Sequence, residues 1–362
     1  MKAGIIGLPR CGKTTLFNVL TGRNVQTGGY GVGSEPNIGT VKVPDERIDA
    51  LSTMFAPKKT TYAVVEYVDV SGLAKGSVQD AGMASRFLAH IRNVDALIHV
   101  VRTFESKTVP MPEGGIDPAG DIDALKLELI LSDLAIVEKR IERLETDIHK
   151  KGEKTQEHEL RLMQRIKDCL EHEQTIRDLE VTVDEARLLR GYQFLSRKPM
   201  LIVLNIGEDH IGDTEKYREL IARNAAQGMP TLALSAAIES EIAQLDSQED
   251  IQTFMDAIGI QEPGLTRLIR VSYELLGLIS FFTVGKDEVR AWTIQHDTKA
   301  SQAAGTIHSD LERGFIRAEV IHYDDLMKYG SIAKTKQHGA FRVEGRDYIV
   351  VDGDIINVRF NV

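Results

Sequence analysis

A glycine-rich segment near the start of the chain constrains the fold more than any other feature. Residues 7–14 read Gly-Leu-Pro-Arg-Cys-Gly-Lys-Thr, which fits the spacing G-x4-G-K-[ST]. The apolar run from Ala3 to Ile6 predicts a buried strand before it, and the apolar face of residues 15–20 predicts a helix after it. Between a strand and a helix, such a loop directs backbone N–H groups toward a phosphate. The sequence therefore predicts a phosphate-binding loop in an α/β fold.

The residue types of this loop suit nucleotide binding. Gly7 and Gly12 allow the backbone to curl so that successive N–H groups point inward. Lys13 is expected to reach the terminal phosphates, and the hydroxyl of Thr14 is expected to ligate Mg²⁺. The residues predicted to bind the nucleotide here are Leu8, Pro9, Arg10, Cys11, Gly12, Lys13, Thr14 and Thr15.

A second strand supplies the partners of the loop. The run from Tyr62 to Val70 predicts a strand that carries Asp69 near its end and is followed by Gly72. Asp69 at that position can hold Mg²⁺ through water, and the Gly72 amide can contact the γ-phosphate. The predicted metal residues are thus Thr14 and Asp69, and Gly72 is a predicted catalytic residue together with Lys13.

The domain organisation follows from where this pattern stops and resumes. Strands and helices alternate through residue 101 and predict a mostly parallel sheet with its ligand at the carboxyl ends of the strands. Residues 121–195 are charged and helical in period, with a stripe at spacings of three and four formed by Leu127, Leu131, Leu134, Val137, Ile141, Leu144 and Ile148. We expect an antiparallel helical arm, which is either a solvated support or a lever that contacts a partner.

Strands resume at residues 199–204 and 231–234, so the arm is an insertion and the nucleotide domain comprises residues 1–120 and 196–276. Residues 277–362 are predicted to form a compact α+β domain with strands Ile279–Val284, Arg290–Ile294, Ala318–Ile321, Phe341–Glu344, Tyr348–Val350 and Ile355–Phe360. This last domain has eleven Lys and Arg against twelve Asp and Glu, so its charge does not indicate nucleic-acid binding.

Composition excludes several classes of protein. The net charge of −10 over 362 residues argues against non-specific DNA binding. The two cysteines, Cys11 and Cys169, are far apart, which excludes a disulfide framework and suits a reducing cytosol. No apolar run approaches the roughly 20 residues that cross a bilayer. We therefore expect a cytoplasmic monomer that binds neither membrane nor DNA.

The choice of base is indicated by the stretch Asn205-Ile206-Gly207-Glu208. GTP-specific switches place Asn at such a strand end, Lys after it to stack on the base, and Asp three positions on. Here Ile206 replaces the Lys and the longer Glu208 replaces the Asp, which points away from strict GTP specificity. The predicted base-side contacts are Asn205, Ile206 and Glu208, with Ser235 and Ala236 after the next strand.

The chain resembles the YchF/Obg-like ATPase branch of the translation-factor-related NTPases over essentially its whole length. The resemblance is carried by the phosphate-binding loop, by Asp69 to Gly76, by Asn205 with Glu208, and by the two long blocks Ser235 to Ala243 and Arg313 to Val320. It implies a nucleotide domain, an inserted coiled-coil arm and a C-terminal ubiquitin-like (β-grasp) TGS domain. It further implies ATP in preference to GTP, dependence on Mg²⁺, and association with the ribosome.

Several positions depart from what catalysis requires. Leu73 stands where Ras-like enzymes have the Gln that orients water. In comparison with the family, Met111 replaces the catalytic His, Gly33 replaces the first switch Thr with Ser34 the nearest hydroxyl, and Arg10 replaces an Asn. Hydrolysis is therefore expected to be slow. The alternatives that the sequence leaves open are a nucleotide-binding adaptor with negligible turnover and a GTPase.

For Arg10 and for the histidines, a role at the nucleotide is weighed against a purely structural role. Arg10 is a catalytic candidate because it can supply in cis the positive charge that a bound monovalent cation gives elsewhere; it can equally extend into solvent. His90 and His99 are expected to be packed residues rather than general bases, and nothing in the spacing of His210 requires a contact with the nucleotide.

Overall fold

The chain folds into two compact units, each made of two sequence segments. The structure, a computed structural model, describes residues 1–25, 36–70, 81–151, 156–211 and 214–361. The first unit comprises Met1–Gly39 and Glu66–Leu268, and the second comprises Thr40–Val65 and Ile269–Val362. The predicted domain boundaries remain a prediction.

Strands and α-helices occur throughout the described residues. The strands are β1 (Lys2–Ile6), β2 (Asn37–Lys42), β3 (Lys59–Thr61), β4 (Val64–Asp69), β5 (Ala96–Arg102), β6 (Met200–Asn205), β7 (Thr231–Leu234), β8 (Leu278–Val284), β9 (Glu288–Gln295), β10 (Phe315–His322), β11 (Arg342–Glu344) and β12 (Asp354–Phe360). The helices are α1 (Lys13–Thr21), α2 (Glu46–Phe55), α3 (Ala81–Arg92), α4 (Pro118–Lys151), α5 (Glu157–Glu171), α6 (Val183–Leu189), α7 (Arg218–Ala226), α8 (Ala236–Ile242), α9 (Gln248–Ile258), α10 (Gly264–Leu275), α11 (Ala300–Ile307), α12 (Ser309–Arg313), α13 (Tyr323–Tyr329) and α14 (Ile332–Gln337).

One sheet, most of whose residues belong to the first unit, has the order β2-β4-β1-β5-β6-β7. β1 runs parallel to β4 and β5, and β6 runs parallel to β5 and β7. Every residue of β5 and β6 is buried, because central parallel strands are covered by helices on both faces. The predicted α/β fold is confirmed. Because β1, β4, β5 and β6 are parallel, their carboxyl ends lie at the same edge of the sheet.

Two long helices, α4 and α5, lie between β5 and β6 in the sequence. The first part of α4 packs on the sheet through Ile122 and Leu125, while its later part packs against α5 through Val137 and Leu144. Between these parts lies Asp133, which is fully buried. Its carboxylate accepts hydrogen bonds from the backbone N–H groups of Leu195 (3.0 Å) and Ser196 (2.7 Å).

Charged side chains join the later part of α4 to α5. Arg140 donates to both carboxylate oxygens of Glu159 at 2.9 Å, and the hydroxyl of Tyr192 donates to the same carboxylate. The Nζ of Lys167 lies 3.0 Å from the carboxylate of Glu138. Glu138 in α4 pairs with Lys167, whereas Arg140, which comes after it, pairs with the earlier residue Glu159 of α5. The two helices therefore run antiparallel.

The second unit has a mixed sheet in the order β11-β10-β12-β8-β9-β3. β10 pairs antiparallel with β11 and β12, β8 pairs antiparallel with β9, and β3 runs parallel to β9. The predicted strand Tyr348–Val350 is wrong: Ile349 forms only an isolated bridge to Lys299. The short strand β3 was not predicted, because three polar residues give no periodic signal.

Within the described ranges, no helix combines the length and the apolar character that crossing a membrane needs. This finding agrees with the sequence, in which no sufficiently long apolar run occurs.

The contact of Glu159 with Arg140 and Tyr192 gives a prediction for the stability of the helical pair. Burial opposes ionisation of Glu159, but the hydrogen bonds from Arg140 and Tyr192 outweigh it and lower the pKa of Glu159. Glu159→Gln should destabilise α5 by about 1 kcal/mol at pH 7, measured as faster hydrogen exchange of the α5 amides after correction for intrinsic rates.

Because the pKa of Glu159 is lower in the folded state than in the unfolded state, its stabilising effect is present above the unfolded pKa and is lost as pH falls through the folded one. The difference between wild type and variant should therefore shrink on acidification. The matched control is Glu138→Gln, which removes the half-exposed partner of Lys167 and should have the smaller effect. A larger effect of Glu138→Gln would contradict the prediction.

Candidate functional site

The phosphate-binding loop has the curled backbone that its glycines predict. Gly7 has φ +148° and Gly12 has φ +100°, conformations that residues with a Cβ atom rarely adopt. A Cβ on Gly7 would also clash with the carbonyl oxygen of Val100, and one on Gly12 would clash with the side-chain amide of Asn205. Both glycines are therefore required by the conformation and by the close contacts of the loop.

Lys13 lies inside this loop. It is the first residue of α1 and is 9 % exposed. Its Nζ donates to the carbonyl oxygen of Leu8 at 2.8 Å, and it lies 3.9 Å from the Sγ of Cys11. Burial raises the pKa of the Cys11 thiol, although the charge of Lys13 opposes the rise. Cys11 is therefore a packed thiol, and Lys13 is the charged group of the loop interior.

Thr14 and Asp69 meet as the sequence predicts for a metal site. The hydroxyl of Thr14 donates to Oδ2 of Asp69 at 3.1 Å. The carboxylate is 1 % exposed, and within the described ranges its Oδ1 accepts no hydrogen bond. Burial raises the pKa of Asp69, while Thr14 and Lys13 act in the opposite direction. A hydroxyl and a buried carboxylate with an unused oxygen are hard ligands that fit Mg²⁺.

No group of three or more His, Cys, Asp and Glu side chains that could hold a metal occurs among the described residues.

Asn205, at the end of β6, joins three parts of the site. Its side-chain Nδ2 donates to the carbonyl oxygen of Cys11 at 2.9 Å, and its Oδ1 accepts from the N–H of Ala236 at 3.0 Å. The N–H and hydroxyl of Thr103 both donate to the Asn205 carbonyl, at 3.1 and 2.8 Å. The structure therefore brings together the phosphate-binding loop, the end of β5, the end of β6 and the start of α8.

The other predicted base-side residues have different environments. Ile206 is 4 % exposed and packs in the apolar core with Leu204 and Tyr217. Glu208 is exposed, and Ser235 and Ala236 are buried at the start of α8. A contact of each with a base remains a prediction, and the burial of Ile206 leaves little of its side chain for stacking.

The remaining predicted residues are partly outside the described ranges. Gly72 and Leu73 lie outside them, as do Gly33 and Ser34. Leu8, Pro9 and Thr15 are half-buried in or beside the loop. Arg10 is exposed, with the left-handed value φ +63°. Met111 lies on the loop after β5 and is 52 % exposed.

The histidines near the sheet are not arranged as general bases. His99 is 1 % exposed, and neither of its ring nitrogens has a hydrogen-bond partner within the part of the chain that is described. Burial lowers the pKa of His99 to about 3, and the charge of Lys13 acts in the same direction. His99 is therefore a neutral packed side chain. His210 lies 3.6 Å from the carboxylate of Asp209.

Sequence reasoning missed Arg102, the last residue of β5. It is 3 % exposed and donates three hydrogen bonds to backbone carbonyl groups of the following loop. The signal was an arginine that ends a strand buried at every residue, since arginine is rarely buried without a partner.

Two family models match this chain. One, described as "50S ribosome-binding GTPase", matches residues 2–151. The other, named for the C-terminal part of the YchF GTPases and described as "Protein of unknown function (DUF933)", matches residues 278–361.

Several relatives align with this chain over nearly the whole length of both proteins. It is 42% identical to the "Ribosome-binding ATPase YchF" of Bacillus subtilis (strain 168), with all of both chains covered. It is 40% identical to the protein of the same name from Escherichia coli O157:H7, with 100% of this chain and 99% of that one covered. Among solved structures it is similar to the Schizosaccharomyces pombe YchF GTPase, with a TM-score of 0.87 and 30% identity over 99% of this chain and 97% of that one.

The contact between Gly12 and Asn205 gives a second prediction. Gly12→Ala should weaken binding of a fluorescent ATP analogue at least about tenfold, because the new Cβ displaces the amide of Asn205. The matched control is Gly22→Ala, at the end of the same helix. Gly22 also has a left-handed φ, +62°, but a Cβ there would have open space. An unchanged affinity in Gly12→Ala, or an equal loss in Gly22→Ala, would contradict the role of the Asn205 contact.

Proposed function

Because this chain belongs to the YchF family, we propose that it is a ribosome-binding, Mg²⁺-dependent ATPase switch that prefers ATP to GTP and turns over slowly. The convergence of the phosphate-binding loop, the Thr14–Asp69 pair and Asn205 at one sheet edge is the observation that carries this proposal. The relatives named as ribosome-binding ATPases match it over their full length.

The phosphates and the metal are assigned to the residues at the loop. Lys13 and the backbone N–H groups of residue 8 and residues 10–15 bind the phosphates, since the loop already encloses the Lys13 ammonium. Thr14 and Asp69 would hold Mg²⁺, which when bound neutralises charge on the β- and γ-phosphates. Gly72, outside the described ranges, is proposed to contact the γ-phosphate.

The base is assigned to the segment that Asn205 begins. Asn205 and Glu208 contact the base in this proposal, with Ile206, Ser235 and Ala236 completing the pocket. The side chain of Glu208 is exposed and is therefore free to change its rotamer to reach the base. The absence of a lysine at position 206 removes the stacking group that guanine-specific proteins use, which supports ATP over GTP.

Slow turnover follows from the residues that are present. Leu73 cannot orient water, and Met111 has no group that can accept or donate a proton. We propose that Arg10 compensates in part: its exposed guanidinium, on a backbone with a left-handed φ, would stabilise the charge that develops on the phosphates.

Binding to the ribosome is assigned to the arm of residues 121–195 and to residues 277–362. The antiparallel pair of α4 and α5, held by Arg140 and Glu159, supports a coiled-coil arm. The mixed sheet of β8 to β12 supports an α+β module of the TGS type. In this proposal the nucleotide state changes the affinity of both elements for the ribosome.

Two measurements test the function. ATP and GTP should compete for one site on the same preparation, with ATP the tighter ligand; tighter GTP binding would favour a GTPase. Bound ATP in a single-turnover assay with Mg²⁺ should release phosphate within hours. If no phosphate is released with or without ribosomes, the protein is a nucleotide-binding adaptor.

The same assay tests Arg10. Phosphate release by wild type should be similar in potassium and in sodium, because the guanidinium replaces a bound cation. Arg10→Ala should be slower by about tenfold, the effect of losing one transition-state charge. A rate that is unchanged in the variant would refute the role of Arg10.

A further inference from the structure

The buried guanidinium of Arg102 is neutralised by no carboxylate in the part of the chain that the structure describes. Its Nε donates to the carbonyl oxygen of Phe104 at 3.1 Å, and its Nη1 and Nη2 donate to those of Pro110 (2.9 Å) and Val109 (3.2 Å). The guanidinium carbon lies 4.6 Å from the centre of the Phe104 ring. Carbonyl groups satisfy the hydrogen bonds of this side chain but leave its positive charge in place.

This charge lies beside the phosphate-binding loop. Burial lowers the pKa of Arg102, the nearby charge of Arg10 lowers it further, and Cys11 acts in the opposite direction. Arg102 is also paired in register with Asn205, whose amide holds the Cys11 carbonyl. A full positive charge in a poorly hydrated position near bound phosphates interacts with them much more strongly than it would in water.

The same hydrogen bonds give Arg102 a second, purely structural effect. They close the loop from Phe104 to Pro110, and Phe104 lies next to Gly207 in the base-recognition segment, where a Cβ on Gly207 would be 3.7 Å from the Cβ of Phe104. Loss of Arg102 would therefore disturb the base side through the loop, and a useful experiment must separate the charge from the loop.

We propose that Arg102 strengthens nucleotide binding, because its buried positive charge, which no carboxylate of the described residues neutralises, attracts the phosphates that the phosphate-binding loop holds. This inference rests on the proposed nucleotide function and adds a residue to it. It differs from the role of Lys13, because Arg102 contacts the carbonyl groups of its own loop and acts on the phosphates by charge alone.

The experiment compares a ligand that carries phosphates with one that does not. Affinities for ATP and for adenosine are measured by displacement of a fluorescent nucleotide, without Mg²⁺, and expressed as the ratio of the two. Arg102→Met removes both the charge and the hydrogen bonds, and should lower the ratio about tenfold. Arg102→Lys keeps the charge but lacks the planar guanidinium whose three nitrogens reach the three carbonyl groups, so it should keep the wild-type ratio even if both affinities fall.

The chain offers a control in Arg346, an exposed arginine with similar contacts. It too donates to two carbonyl groups, those of Phe315 and Glu312, and lies over the ring of Phe315. It belongs to the other unit, so Arg346→Met should change neither affinity. A change in that variant would mean that the assay reports general loss of structure, which would overturn the interpretation.

Two outcomes would overturn the proposal itself. If Arg102→Met weakens ATP and adenosine equally, or if the ratio for Arg102→Lys falls as far as that for Arg102→Met, the residue acts only by holding the loop. If Arg102→Met does not fold, the equally uncharged Arg102→Gln replaces it: a tenfold lower ratio supports the role of charge, and a wild-type ratio refutes it.

The failure of the proposed function gives a different result. A wild-type protein that binds GTP but not ATP would refute the choice of base, and the ratio of GTP to guanosine would then test Arg102 in the same way. A wild type that binds neither nucleotide would overturn both the function and the role of Arg102.

Discussion

The side-chain amide of Asn205 is the contact on which the site depends. It donates to the carbonyl oxygen of Cys11 and accepts from the N–H of Ala236, so one side chain connects the phosphate-binding loop to the start of α8. Only a group with a donor and an acceptor in fixed geometry can make both bonds. Gly12 is required because a side chain there would occupy the position of this amide. Asn205 therefore connects the phosphate-binding loop, the end of β6 and the start of α8.

Charge determines what this arrangement can bind. Lys13 and Arg102 are buried cations, Arg10 adds an exposed one, and Asp69 is the buried carboxylate at the loop. The neutral His99 contributes no charge at physiological pH, because burial holds its pKa near 3. Positive side chains beside a carboxylate whose Oδ1 accepts no hydrogen bond from the described residues suit a polyanion that arrives with a divalent cation. A nucleoside triphosphate with Mg²⁺ has that chemistry.

The sequence predicted the parts of the site that depend on local chemistry. Gly7, Gly12, Lys13, Thr14 and Asp69 follow from a loop whose geometry needs those residue types, and the structure brings Thr14 and Asp69 together. The sequence could not show that Ile206 packs in the core, because that depends on contacts with residues distant in the sequence. It could not show that Arg102 closes a loop, because a buried arginine without a carboxylate partner is unusual. Tyr348–Val350 has the composition of a strand, yet it forms only a bridge because a strand needs a partner along its length.

The most direct test of this account is the ATP affinity of Asn205→Ala, measured together with hydrogen exchange of the loop amides. We expect a loss of affinity of at least about tenfold and faster exchange at residues 8–14, because the two hydrogen bonds between the Asn205 side chain and the backbone are removed. Asn224→Ala is the control, since Asn224 is equally buried and bonds to Thr231 at the opposite end of the sheet. Unchanged ATP affinity in Asn205→Ala, or an equal loss in the control, would contradict the central role of Asn205.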